Sequence, residues 1–323
     1  MEKLTNLGIY EELFKAEKMP TKCLLCKKGE LDELGHIIPK FVMRWLKRAS
    51  KLNSFYFNND RDKMVADTPA FKMMCKTCED KLSTFEKYFT DEIFKKYYRG
   101  KTPSPIDDEV YNFAISIAWR LIVSTERLKD TQPKENTFEA IYSPSESMMR
   151  NYLNNEIEKC HHSVYALPID KITRNISKNL IDDNALKYTI RQGLKAHLIA
   201  DERRDIVLSF THLPIIHFKI GCYYFFILQD NYFAGAEFEI SSTKASKAKE
   251  LYVLDYTPDL LGFMEWLMDG HFFEVNTKDI PLKSYTHRDA PTLWNLVFGS
   301  TQQPPTEVGG LVTYGLKVRI RVD

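Results

Sequence analysis

Four cysteines in two short pairs are the residues of this chain whose types and spacing most clearly imply chemistry. Cys23-Leu-Leu-Cys26 and Cys75-Lys-Thr-Cys78 each hold two thiols two residues apart. Two such loops present four sulfurs in a tetrahedron, the arrangement that structural Zn²⁺ takes, and thiolates are good ligands for that ion. Closing the site can supply roughly 10–16 kcal/mol of folding free energy. The competing readings are two unrelated thiol pairs or a redox Cys-x-x-Cys, and no βαβ pattern surrounds either pair as the redox reading would need. Between the pairs lies Gly35-His36-Ile37-Ile38-Pro39. Its apolar residues read as a short strand that the proline ends. A histidine fixed there, beside a zinc knuckle, can take a proton from water.

On these residues the stretch resembles the HNH (ββα-metal, treble-clef) endonuclease family. That family's motif runs Cys-x-x-Cys, then an acidic residue with His-Ile-Ile-Pro, then Cys-x-x-Cys leading into a helix. The resemblance spans roughly the first quarter of the chain. It implies a zinc-bound ββα or treble-clef module in which His36 is the general base that activates water against a phosphodiester. It also implies a catalytic divalent ion, Mg²⁺ or Mn²⁺, that stabilises charge on the phosphate. Three positions depart from the pattern. Gly35 stands where the family has Asp or Glu, Glu79 stands where it has His or Asn, and its middle asparagine has no match in residues 67–74. Glu79 can still act as a hard oxygen ligand. Glu86 lies on the same helix face, bordering the apolar stripe of Leu82, Phe85, Phe89 and Ile93, and joins it as a candidate. The competing reading has Glu79 favoured by the helix N-terminus and Glu86 paired with a nearby lysine, which leaves a zinc-stabilised DNA-binding or scaffolding piece without catalysis.

The elements that must position these residues follow from the flanking sequence. Residues 8–18 suggest a short amphipathic helix ended near Pro20. From Lys40 to Leu52 the spacing predicts a helix with Phe41, Val42, Trp45 and Leu46 on one stripe. Lys40, Arg44, Lys47, Arg48 and Lys51 form the other, which could hold a nucleic-acid backbone against His36 or could simply be a solvated face. Residues 53–70 read as a loop or weak hairpin. A helix from Cys78 to about Tyr98 follows, and the residues from Arg99 to Pro105 supply its stop and a linker.

That linker divides the chain into a zinc module, residues 1–101, and an α+β part, residues 102–323, helical over 106–160 and strand-rich over 161–323. From Asp107 the apolar positions predict a buried helix flanked by Trp119 and Arg120, the arginine as an ion-pair partner. Ser143-Pro144-Ser145-Glu146 has the shape of a capping box that starts a helix to about residue 159. Val164–Ile169, Ile206–Phe210, Ile215–Leu228 with a turn at Ile220-Gly221, and Leu251–Leu254 read as strands of a mainly antiparallel sheet. A helix from Thr257 and an alternating strand over Leu316–Val322 complete the α+β expectation.

At 323 residues the chain has room for two or three domains. No apolar run reaches the roughly 18–20 residues that cross a membrane, and the N-terminus lacks a signal-peptide pattern, so a soluble, cytoplasmic protein is expected. Cys160 and Cys222 read as buried hydrophobes. Residues 1–101 hold 21 Lys+Arg and 15 Asp+Glu, a net +6, while the remainder holds 24 and 29, a net −5. The basic end carries the zinc motif, the sign expected of a module that meets phosphate. No Walker loop, dinucleotide fingerprint, serine elbow or repeat is present. The expected function is an HNH-like nuclease acting on nucleic acid, DNA first, in a setting such as microbial antiviral defence. The alternative is a non-catalytic zinc-stabilised nucleic-acid-binding or ligand-sensing protein. The C-terminal part could bind a ligand, regulate or select the substrate, or assemble with a partner protein or a second copy, and the sequence does not choose.

Overall fold

The computed structural model describes residues 3–4, 14–32, 34–49, 55–57, 60–65, 70–127, 135–168, 207–208, 211–212, 215–220, 223–230, 240–255, 260 and 318–319. It is a mixed α and β structure with antiparallel and mixed sheets. The N-terminal elements are β1 (Lys3–Leu4), β2 (Gly35–His36), α1 (Lys40–Ala49), β3 (Phe55–Phe57), β4 (Asp60–Val65) and β5 (Ala70–Phe71). β3 and β4 pair antiparallel as the expected hairpin, and β1 adds to β4 in parallel. Of the predicted helix over residues 8–18, residues 8–13 lie outside the described residues, and a single 3₁₀ turn covers Ala16–Lys18. Val42 is buried and Phe41 and Trp45 are half-buried, so the apolar stripe of α1 faces the core as its spacing predicts.

The helix after the second cysteine pair begins at α2 (Lys76–Tyr88) and continues through a π-helical turn, Phe89–Phe94, into α3 (Lys95–Tyr98). The sequence predicts one regular helix here. The wider turn re-phases the face, so that Phe89, Thr90, Ile93 and Phe94 are all buried, and the Thr90 hydroxyl donates to the Glu86 carbonyl at 2.6 Å. Phe94 then receives Phe41 and Trp45 from α1 edge-on, with ring centroids 5.2 and 5.3 Å apart.

Next comes α4 (Asp108–Thr125), whose start is fixed by Asp107. Its carboxylate accepts from the Glu109 and Val110 N–H groups at 3.1 and 3.3 Å, an N-cap, and from the Tyr88 hydroxyl at the end of α2. Trp119 and Arg120 do not flank the buried face of this helix. Both are inside it, at 0% and 1% exposure. A helix packed on several sides has no wet stripe, and a one-stripe reading of its periodicity misses that.

The following helix, α5 (Glu135–Leu153), starts well before the predicted capping box and carries Pro144 within it. A proline inside a helix forfeits one hydrogen bond, and here α5 runs on through that position. It ends at Leu153, and Asn155 takes a left-handed conformation, φ 62°, just beyond.

The strands β6 (His162–Pro168), β7 (Val207–Leu208), β8 (Thr211–His212), β9 (Ile215–Ile220), β10 (Tyr223–Gln229), β11 (Ser242–Lys244), β12 (Leu251–Leu254) and β13 (Val318–Arg319) follow. Six of them form one sheet in the order β11-β12-β6-β10-β9-β8. The predicted turn near Ile220 joins β9 to β10, with Tyr223 opposite Ile220. All neighbours in that sheet are antiparallel except β12 and β6. β7 and β13 pair separately. The helix predicted from Thr257 falls, apart from Leu260, outside the described residues, as do Cys222 and most of the last predicted strand. Cys160 is buried as expected.

One hydrophobic cluster runs from Cys23, Leu25 and Ile37 through α2 and α4 to Phe225 and Leu251 in the sheet, across the linker expected at residues 99–105. Its centre is aromatic: Phe89 stacks on Phe113 at 4.2 Å with rings 6° apart, and Phe225 of β10 meets their edges at 6.0 and 6.4 Å. Among the described residues no helix is long and apolar enough to cross a membrane. Phe113 touches both halves, so Phe113→Ala should cost about 3–5 kcal/mol in urea unfolding of the whole chain. A loss below about 1 kcal/mol would contradict the shared core.

Candidate metal centre

The backbone around Cys23 and Cys26 fixes where their sulfurs point. Lys27 N–H donates to the Cys23 carbonyl and Cys23 N–H to the Gly29 carbonyl, both at 2.9 Å, with Lys27 held at φ 61°. The Cys26 N–H then meets Cys23 Sγ at 3.4 Å, and the Gly29 N–H meets Cys26 Sγ at 3.3 Å. Such donors favour the thiolate, because a negative sulfur is the better acceptor. On the other side Cys75 is the N-cap residue of α2 and Cys78 lies in its first turn, so the helix spaces that pair. The two loops are zipped together by Leu24 N–H on the Met73 carbonyl at 2.8 Å and Asp32 N–H on the Met74 carbonyl at 3.0 Å.

The result is four ligand sulfurs all within 4.8 Å of one another. A tetrahedron with Zn–S of about 2.3 Å has edges of about 3.8 Å, and Cys26 Sγ lies 3.8 Å from Cys75 Sγ. Burial raises the thiols of Cys23 and Cys78. Burial acts in the same direction at Cys26, but the N–H groups of Gly29 and Lys28 outweigh it and bring that thiol down to about 6. Four thiolates so close would repel one another, and a dication among them removes the repulsion. Thiolate donors, tetrahedral spacing and N–H···S support together fit a metal such as zinc in a closed, structural site.

Gly29 is the residue that the sequence reading missed. A Cβ there would lie 2.7 Å from both the Cβ and Sγ of Cys75, so the loop can approach the second pair only because position 29 has no side chain. A glycine three residues after a Cys-x-x-Cys pair is the available signal, though its meaning depends on a contact nearly fifty residues away.

β2 pairs antiparallel with β5, His36 opposite Ala70 and Gly35 opposite Phe71, which places His36 beside β5, the strand that leads to the second cysteine pair. His36 is 7% exposed, and Ile37 and Ile38 behind it are fully buried. The strand stops at His36, short of Pro39, so Ile37 and Ile38 do not extend it as predicted; the Pro39 carbonyl accepts from the Val42 N–H at 3.1 Å and opens α1. A Cβ on Gly35 would lie 2.7 Å from Glu79 Oε1 and 3.0 Å from Met73. The helix carboxylate therefore occupies the space that any side chain at position 35 would need.

Glu86 goes elsewhere. Its Oε1 lies 2.5 Å from Arg120 Nη1, so its partner is a buried arginine of α4 and not a neighbouring lysine. The same Arg120 Nη1 donates to the His36 carbonyl at 3.5 Å. Lys40 and Arg44 are exposed on α1. Lys51 and the side chains of Lys47 and Arg48 lie outside the described residues. Comparison of the chain with protein families, with curated proteins and with solved structures gives no match.

Elemental analysis of the purified chain should give one zinc per molecule, lost in Cys75→Ser together with cooperative folding. Gly29→Ala should retain the metal but lose about 1–3 kcal/mol of stability from overpacking against Cys75. A metal-free chain that folds as well as the loaded one would contradict both.

Proposed function

We propose that this protein is a zinc-stabilised, metal-dependent nuclease of HNH type, its ββα or treble-clef-like module joined to an α+β part that selects or controls the substrate. The observation that supports it best is the position of Glu79. The chain lacks the family's acid before the histidine, but Glu79 Oε1 comes within 2.7 Å of where a Gly35 Cβ would stand, in the residue next to His36. In this reading the Glu79 carboxylate, reaching position 35 from the helix, stands in for the acid that the strand lacks. We read the departure at Gly35 and the departure at Glu79 as one exchange, since a side chain at position 35 would require Glu79 to shift.

In this reading Cys23, Cys26, Cys75 and Cys78 hold zinc and fix the strand that carries His36. His36 accepts the proton of the attacking water at its imidazole nitrogen. Glu79 would hold Mg²⁺ or Mn²⁺, which when bound supplies Lewis-acid stabilisation of phosphate charge. Lys40 and Arg44, exposed on the helix that begins four residues after His36, offer charge to a DNA backbone. Glu86, paired with Arg120, belongs to the support of the site and not to the ion.

A second reading rests on the 7% exposure of His36. A base so covered has little access to water, which favours a zinc-stabilised nucleic-acid-binding protein without cleavage. Plasmid nicking under Mg²⁺ and Mn²⁺ separates the two. The nuclease reading expects His36→Ala and Glu79→Ala each to lower the rate by roughly 10²–10⁴-fold at unchanged zinc content. It also expects the exchange Gly35→Asp with Glu79→Gly to recover part of the loss. DNA binding with no nicking by the unaltered chain, or nicking indifferent to His36, would overturn it.

A further inference from the structure

Arg120 is 1% exposed in the middle of α4, among Phe113, Ile117 and Leu121. Its Nη1 meets the Glu86 carboxylate at 2.5 Å and the His36 carbonyl at 3.5 Å. Its Nε and Nη2 are buried with no hydrogen-bond partner. Burying a guanidinium is costly, and one that keeps only part of its donors satisfied costs more than an apolar side chain of similar volume. Its neighbours one turn away on this helix, Ile117 and Val123, are buried and apolar, so packing alone does not call for a guanidinium here.

What Arg120 does gain is reach. It touches β2 through the His36 carbonyl, and it touches α2 through Glu86, seven residues along from Glu79. These are the two elements whose separation sets the distance from the His36 imidazole to the Glu79 carboxylate. The cysteine cluster holds the first turn of α2 directly and β2 only through its pairing with β5, so Arg120 is a second fastening. It comes from beyond the linker expected at residues 99–105, on a helix that also meets the sheet: Phe113 of α4 meets Phe225 of β10 at 6.4 Å.

We propose that Arg120 is a positioning residue, which holds the His36 strand against the Glu79 helix and makes that geometry depend on how α4 is seated on the C-terminal sheet. This rests on the nuclease reading only for its effect on catalysis; the effect on His36 itself stands apart from it. A shift of α4 would move the guanidinium relative to the strand, and misplacement of a reacting group by about 1 Å can cost roughly 10²-fold in rate. The C-terminal half would thus control the site through one side chain.

The test uses the full zinc-loaded chain and three variants, Arg120→Met, Arg120→Lys and Glu86→Gln. Each is measured for zinc content, for kcat and KM of plasmid nicking with Mn²⁺, and for the His36 ring cross-peak in the NMR spectrum, assigned through His36→Ala. Arg120→Met should keep one zinc, move the His36 cross-peak, and lower kcat roughly 10- to 100-fold with KM little changed. Arg120→Lys, which retains the cation, should restore part of both. A folded, zinc-loaded Arg120→Met whose His36 cross-peak coincides with that of the unaltered chain overturns the proposal. If Arg120→Met does not fold, Arg120→Lys and Glu86→Gln are read in the same way, and two unshifted cross-peaks overturn it equally. If the unaltered chain does not nick DNA, the nuclease reading falls, while the His36 cross-peak still decides the role of Arg120.

Discussion

The whole N-terminal arrangement depends on one constraint: two Cys-x-x-Cys loops from distant parts of the chain have to bring four sulfurs within 4.8 Å of one another. Uncompensated, that gathering is unfavourable, since buried thiols resist ionisation and neighbouring thiolates repel. A metal ion bound among the four sulfurs would turn it into a strong local fastening. The consequences spread outward from there. Gly29 must lack a side chain, the backbone of Leu24 and Asp32 must bond to Met73 and Met74, and β5 must run directly into Cys75. β2 is carried along as the partner of β5, and His36 with it.

The second tier of order is apolar. α2, the π-helical turn and α4 meet in the Phe89–Phe113 stack, and Phe225 brings the sheet to the same point. The zinc module therefore does not end in a free surface at its linker, because its helix is a wall of the core shared with the sheet. Among the charges buried in the described residues, Arg120 is met by Glu86. The two fastenings differ in kind. A metal among the four cysteines would fix the start of α2 by coordination, whereas Arg120 meets the same helix further along by an ion pair whose strength depends on staying dry.

Part of the site was legible in the sequence, for a physical reason: metal-ligand spacing and helix periodicity are local features. The cysteine spacing, the inward stripe of α1 and the buried helix from Asp107 were legible in this way. What was not legible depends on distant contacts. Gly29 matters only because Cys75 comes to rest against it, and Glu86 finds Arg120 instead of a lysine because α4 lies across α2. Trp119 and Arg120 look like flanking residues until the helix is seen to be surrounded. Pro144 carries a strong local signal for a helix start, and α5 overrides it by continuing through that position. The π-helical turn hides in an otherwise regular apolar pattern. The parallel entry of β12 beside β6 has no local signature at all.

The most direct test is a crystal of the chain grown with Mn²⁺ and measured on both sides of the zinc and manganese absorption edges. The account predicts a zinc anomalous peak about 2.3 Å from each of the four Sγ atoms, and a manganese peak at the Glu79 carboxylate on the His36 side. Zinc absent from the cysteines, or manganese bound anywhere but beside Glu79 and His36, would contradict it.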